Sequence, residues 1–106
     1  MKDIDPHIKL KTILSLKKLL LINRSSKSDD EAMADSYEKI GRNTQLRKAT
    51  ITAIFTGRSN PRAETLILVI KGMGFTLIDF AKIYETITDK EIGIYKNSIV
   101  EENSNK

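Results

Sequence analysis

Apolar residues recur along this chain at the three-and-four spacing of helix faces, never with the alternation of a half-buried strand, and that rhythm restricts it to an all-α fold. Near the start, Ile8, Leu10, Ile13, Leu14, Leu16 and Leu20 keep helical register behind Asp5 and Pro6, a cap followed by a proline suited to a first turn. A first helix over residues 6–23 is predicted, followed by a loop at Arg24, Ser25, Ser26 and Lys27. Ser28 with Glu31 three positions on has the form of a capping box, and Asp29 and Asp30 suit the positive end of a helix dipole. The second helix is therefore expected to begin at Ser28, with Met33, Tyr37 and Ile40 on its inner face.

After Gln45 the spacing restarts in Leu46, Ile51, Ile54 and Phe55, a short third helix that Gly57 can stop in the left-handed conformation. Ser59, Asn60 and Pro61 read as a turn into a fourth helix carrying Leu66, Ile67, Val69, Ile70 and Met73, closed by Gly72 and Gly74. Thr76 and Asp79 cap a fifth, with Leu77, Phe80, Ala81, Ile83, Tyr84 and Ile87. Thr88 and Glu91 can open one or two more turns bearing Ile92, Tyr95 and Ile99, and residues 101–106, without an apolar anchor, are expected to be disordered. The expected organisation is an N-terminal helix and loop over 1–27 packing on a domain over 28–87, with a partly disordered tail over 88–106.

At 106 residues the chain has room for one core, and a core of this size gains from dimerisation. It has no cysteine, which excludes disulfides and thiolate metal sites and fits a reducing cytoplasm. Residues 13–22 are the most hydrophobic stretch, but Lys17 and Lys18 interrupt it, so neither a secretion signal nor a membrane span is expected. Net charge is +4, and its distribution matters more than its size. Residues 42–62 hold five bases (Arg42, Arg47, Lys48, Arg58, Arg62) and no acid, while residues 28–38 hold five acids (Asp29, Asp30, Glu31, Asp35, Glu38) and no base. Such segregation orients a molecule toward polyanions through one face.

The basic segment holds two choices that stability alone does not explain. Gly41 lies inside a helical pattern, where glycine costs about 1 kcal/mol relative to alanine, so close approach of another helix is expected there. Arg47 and Lys48 stand at a helix N-terminus, which disfavours cations by a few tenths of a kcal/mol unless anions face it. With Ile51, Ile54 and Phe55 inward, the outer face is Ala49, Thr52, Ala53 and Thr56, flanked by Lys48 and Thr50. Those side chains are small enough for a helix to enter the major groove, where threonine hydroxyls and methyls meet base edges.

On these residues, the run from Ile40 and Gly41 through Leu46, Thr50, Ile51 and Ile54 resembles the helix-turn-helix of the lambda-repressor-like class, which includes phage Cro and repressor proteins and XRE-like regulators. The continuation, with Asn60-Pro61, Thr65-Leu66 and Met73-Gly74, is similar to HigA-type antitoxins. Two positions depart from the pattern: Gln45 stands where the family usually has glycine, and Arg47 where it usually has a serine or threonine cap. The resemblance implies a five-helix DNA-binding domain, here with an extra-long first helix and a flexible tail. It places Lys48, Ala49, Thr52 and Ala53 on bases, and Arg47, Thr50, Arg58, Asn60 and Arg62 on phosphates.

A sequence-specific transcriptional regulator, dimeric on double-stranded DNA, is the expected function, with a toxin-neutralising, self-regulating antitoxin as the alternative. The stripe of Ile78, Phe80, Ile83, Tyr84 and Ile87 is wide for a peripheral helix and is a candidate homodimer contact. No cofactor, metal or enzymatic activity is expected: His7 is the only histidine, and no glycine loop cradles phosphate. No sensor domain is visible, so control through concentration, proteolysis or a partner is expected ahead of a small ligand.

Overall fold

The computed structural model describes residues 7–26 and 30–104, with side chains through 98. Among the described residues the chain is all-helical, in six helices without a strand: α1 (Ile8–Ser26), α2 (Tyr37–Thr44), α3 (Lys48–Phe55), α4 (Ala63–Gly72), α5 (Leu77–Thr86) and α6 (Asp89–Ser104). None of them is long and apolar enough to cross a membrane. The proposed cap at Asp5 and Pro6 lies outside the described residues.

Helix α1 carries an inner stripe of Ile13, Leu16, Leu19, Leu20 and Asn23, all buried, and this face explains why a 19-residue helix lies across the body. It runs on to Ser26, past the predicted stop at Asn23, with the Ser26 hydroxyl donating to the Asn23 carbonyl at 2.9 Å. Residues 30–34 are a turn and not the start of a helix, and α2 begins only at Tyr37, capped by Ser36, whose hydroxyl accepts from the Lys39 N–H at 3.2 Å. Ser28 is outside the described residues, and Glu31 pairs with Arg42 across the surface.

What holds that turn open is non-local. Buried Asn23 donates to the carbonyls of Ala34 and Met73, both at 2.8 Å. Asn43 repeats the device, donating to the carbonyls of Glu31 and Gly72, both at 2.8 Å. Each amide thus ties the turn to the end of α4. The backbones touch there: Gly74, at φ +88°, passes so close to the turn that a Cβ would stand 2.6 Å from the Ala32 carbonyl oxygen.

Leu16 and Leu19 of α1, Ile40 of α2, Ile51, Ile54 and Phe55 of α3, and Val69, Ile70 and Met73 of α4 form one core, with Tyr37 against Phe55 at 4.9 Å between ring centres. Helices of eight to ten residues such as α2 to α5 are marginal alone in water, so this shared burial holds them. Helix α5 opens on the predicted capping box of Thr76 and Asp79 and lies along α1, with Lys11 over the Tyr84 ring at 5.0 Å.

The further turns expected from Thr88 and Glu91 are present and run longer than the one or two foreseen, through residues 101–104, where disorder is the expectation. Thr88 and Glu91 exchange backbone-to-side-chain bonds at 3.1 Å, and α6 continues to Ser104. Buried Ile87 and Ile92, the Lys18–Glu91 ion pair at 2.6 Å and Lys17 over Tyr95 at 4.7 Å fasten its first turns to α1. The Lys18 bond, foremost, and the cap hold the Glu91 carboxyl below the usual glutamate range. Residues 105 and 106 lie outside the described residues.

Candidate nucleic-acid interface

Helices α2 and α3 are joined by Gln45, Leu46 and Arg47. Gln45 takes the left-handed conformation, φ 65° and ψ 17°, its N–H donating to the Gly41 carbonyl at 2.8 Å and its side-chain amide to the Arg42 carbonyl at 3.2 Å. It is the one non-glycine residue with positive φ among the described residues, a conformation costing about 1–2 kcal/mol for an L-residue. The chain therefore makes the turn without the glycine that the resemblance calls for. Thr44 fixes both sides of it: its hydroxyl donates to the Ile40 carbonyl at 2.7 Å and accepts from the Leu46 N–H at 3.2 Å.

Gly41 is explained by the same closure. A Cβ there would stand 3.1 Å from the Leu46 carbonyl oxygen, a tight fit against the returning turn, and in ordinary contact with Ile51 Cδ1 of α3 at 3.5 Å. The expected close approach is present.

Helix α3 buries Ile51, Ile54 and Phe55. Its other face carries Lys48, Ala49 and Thr50 exposed, with Thr52 and Ala53 half-exposed. Lys48, Ala49, Thr52 and Ala53, the four positions expected to face bases, line one open depression together with Arg58. Arg58 arrives there because Gly57, at φ +81°, reverses the chain, and the Arg58 and Ser59 N–H groups donate to the Ala53 carbonyl at 2.9 and 3.2 Å. Thr56 then positions it. The Thr56 hydroxyl donates to the Thr52 carbonyl at 2.7 Å and receives the Arg58 Nε–H at 3.2 Å. Sequence reasoning put Thr56 on the outer face but missed this role, and grouped Arg58 with the phosphate positions, whereas the structure sets it beside Lys48, Ala49, Thr52 and Ala53.

Arg47, Thr50, Asn60 and Arg62 are all exposed. Arg47 and Arg62 are the N-caps of α3 and α4, and neither end has a side-chain cap, so two helix N-termini present open N–H groups behind an arginine each. Thr44 does not cap α3, since its hydroxyl serves Leu46. Among the described residues Arg47, Lys48, Arg58 and Arg62 enter no ion pair. Arg42 differs from the other four bases of its segment: it pairs with Glu31 at 3.3 Å and Glu38 at 2.9 Å, bonds that hold its guanidinium still more firmly protonated, Glu31 foremost. Folding thus sets two of the acids against one of the bases and leaves four cations exposed.

The five candidate dimer residues do not share a surface. Ile87 is buried, Phe80 and Ile83 pack against the core, and Tyr84 lies under Lys11, whereas Ile78 is 67% exposed. The stripe is wide because α1 covers it. No group of three or more histidine, cysteine, aspartate or glutamate side chains that could hold a metal ion occurs among the described residues. No protein-family model matches the chain, and no curated protein or solved structure does either.

Proposed function

We propose that this protein is a sequence-specific, DNA-binding transcriptional regulator of the lambda-repressor-like kind, in which α3 enters the major groove and two copies occupy a two-fold operator. The observation that carries this reading is the outer face of α3: Lys48, Ala49, Thr52, Ala53 and Arg58 gathered at one open depression, with the core residues of the same helix turned fully away. Lysine and arginine in that position suit guanine edges, and the threonine and alanine methyls suit thymine. The uncapped N-termini of α3 and α4, with Arg47, Thr50, Asn60 and Arg62, suit backbone phosphates, which set register rather than sequence.

Selection of bound sequences from a random duplex pool at physiological salt tests the proposal. Enrichment of a palindrome is expected, and Lys48→Glu abolishes it while leaving the helical content unchanged. No enrichment, or an unaltered Lys48→Glu variant, sinks it. The second reading, an antitoxin, is favoured by a separate feature, the groove beside Leu21 and Ile22, which are 60% and 44% exposed on the outside of α1. It predicts that a small toxin purifies with the chain, and that Leu21→Asp releases the toxin without loss of DNA binding.

A further inference from the structure

Between the first turns of α1 and the connection from α3 to α4 lies a cleft of about 510 Å³, within the range of roughly 300–1,000 Å³ that small-ligand sites occupy. Its apolar lining is Ile8 and Ile13 on one wall, Ile54 of α3, and Pro61 and Leu66 on the other. Ile13 and Ile54 are buried core residues, so this part of the lining is continuous with the domain interior. Its charged lining is of one sign among the described residues. Lys9 brings a cation to the cleft with no acid among the lining residues, and Lys9 enters no ion pair among the described residues. Ser59 and Asn60 also line it, their side chains making no hydrogen bond among the described residues, whereas the Thr12 hydroxyl is spent on the Ile8 carbonyl at 2.8 Å.

We infer that this cleft binds a small amphipathic carboxylate, its hydrocarbon part between Ile8, Ile54 and Leu66 and its carboxylate at Lys9 with Ser59 and Asn60. An apolar cleft with a few convergent polar groups is the usual make-up of a ligand site, and among the described residues the one charged group lining it, Lys9, is a cation that suits an anion. A ligand in this cleft would reverse the expected order of control, in which concentration, proteolysis or a partner comes ahead of a small ligand. Occupancy has a route to DNA binding, because Ile54 belongs to α3 and Asn60 is a proposed phosphate contact; that consequence alone rests on the function proposed above.

The test uses the 106-residue chain and its amide resonances, titrated with sodium octanoate below its micellar concentration, 1-octanol and sodium acetate. Octanoate is expected to move Ile8, Lys9, Asn60 and Leu66 and to leave Leu21 and Ile22 in place. Octanol binds more weakly by about fivefold, the order of one exposed charge contact, and Lys9→Gln brings octanoate to the same level. Acetate moves nothing. Ala63→Phe, at an exposed lining position, blocks octanoate without altering helical content.

Four results overturn the inference: no octanoate response at Ile8, Lys9, Asn60 and Leu66, equal affinity for octanoate and octanol, shifts spread equally over Leu21 and Ile22, or a diffusion coefficient showing a second copy in the cleft. The resonances are read without DNA, so a protein that binds octanoate but no duplex refutes the proposed function and leaves the cleft standing. Duplex binding unaffected by octanoate, in a protein that binds it, refutes only the coupling.

Discussion

Replacing Asn23 by alanine removes a clamp with no substitute. The Asn23 side chain is 1% exposed and donates both amide hydrogens, at 2.8 Å, to the carbonyls of Ala34 and Met73. Each buried bond contributes about 0.5–1.5 kcal/mol net, and a buried acceptor left unpaired costs about 1–3 kcal/mol. Against this, Asn23 Oδ1 is itself buried without a partner, so its removal gives back part of the cost. The balance is a loss of about 2–3 kcal/mol, which for a domain near this size lowers the melting temperature by about 10–15 °C. Circular dichroism at neutral pH measures it, with Asn43→Ala as the internal control. Asn43 ties the same turn to α4 by the same pattern but is exposed, so water replaces it and the loss stays under about 1 kcal/mol. Asn23→Asp separates the hydrogen-bonding argument from simple packing. An ionised carboxylate facing two carbonyls destabilises more than alanine at pH 7; the folded-state pKa of that aspartate is raised, so the stability it retains is present below its unfolded pKa and lost as pH rises. Equal melting shifts for Asn23→Ala and Asn43→Ala, or an aspartate variant no worse than alanine at neutral pH, refute the clamp.

Four further outcomes follow from the same geometry. A Cβ at Gly72 overlaps Thr44 Cγ2, so Gly72→Ala costs about 1–3 kcal/mol in urea unfolding, and Thr44→Ser, which keeps the hydroxyl bonds and deletes the methyl, recovers most of it. Gln45→Gly relieves about 1–2 kcal/mol of left-handed strain against about 0.5–1 kcal/mol of glycine entropy and one exposed bond to the Arg42 carbonyl, so the melting temperature rises slightly, while Gln45→Val lowers it. Glu91, with its pKa lowered chiefly by Lys18, and Asp79, lowered chiefly by the Thr76 backbone, contribute stability that is present above their unfolded values and lost as pH falls through the folded ones; Glu91→Gln flattens that acid limb in pH-dependent melts. If Arg47 and Arg62 each neutralise one phosphate per subunit, the dimer's affinity falls with salt at a log-log slope of about −4, and Arg62→Glu makes the slope shallower by about 2 across all sequences; an unchanged slope removes Arg62 from the interface.

The elements legible in the sequence are those whose ends are set locally. Thr76 with Asp79 and Thr88 with Glu91 bond within four residues, and Gly57 reverses the chain on its own φ, so α3 and α5 lie where periodicity and caps place them. Ser28 and Glu31 offer the same local signature, yet the turn that follows is not helical. Its carbonyls at Glu31 and Ala34 are taken by Asn43 and Asn23, 12 and 11 residues away, and the other half of each clamp lies at the C-terminal end of α4, 29 and 50 residues away. Charge shows the same limit. Counting bases over residues 42–62 treats Arg42 as a free cation, but its partner Glu31 is 11 residues upstream and becomes a neighbour only once the turn has formed. The width of the α5 stripe misleads for a related reason: periodicity shows that a face is apolar, and not whether α1 or a second molecule covers it. The outer face of α3 escapes these errors because nothing distant needs to reach it. Its legibility rests on Ile51, Ile54 and Phe55 pointing inward, and a helix with its core face fixed has only one other side to offer.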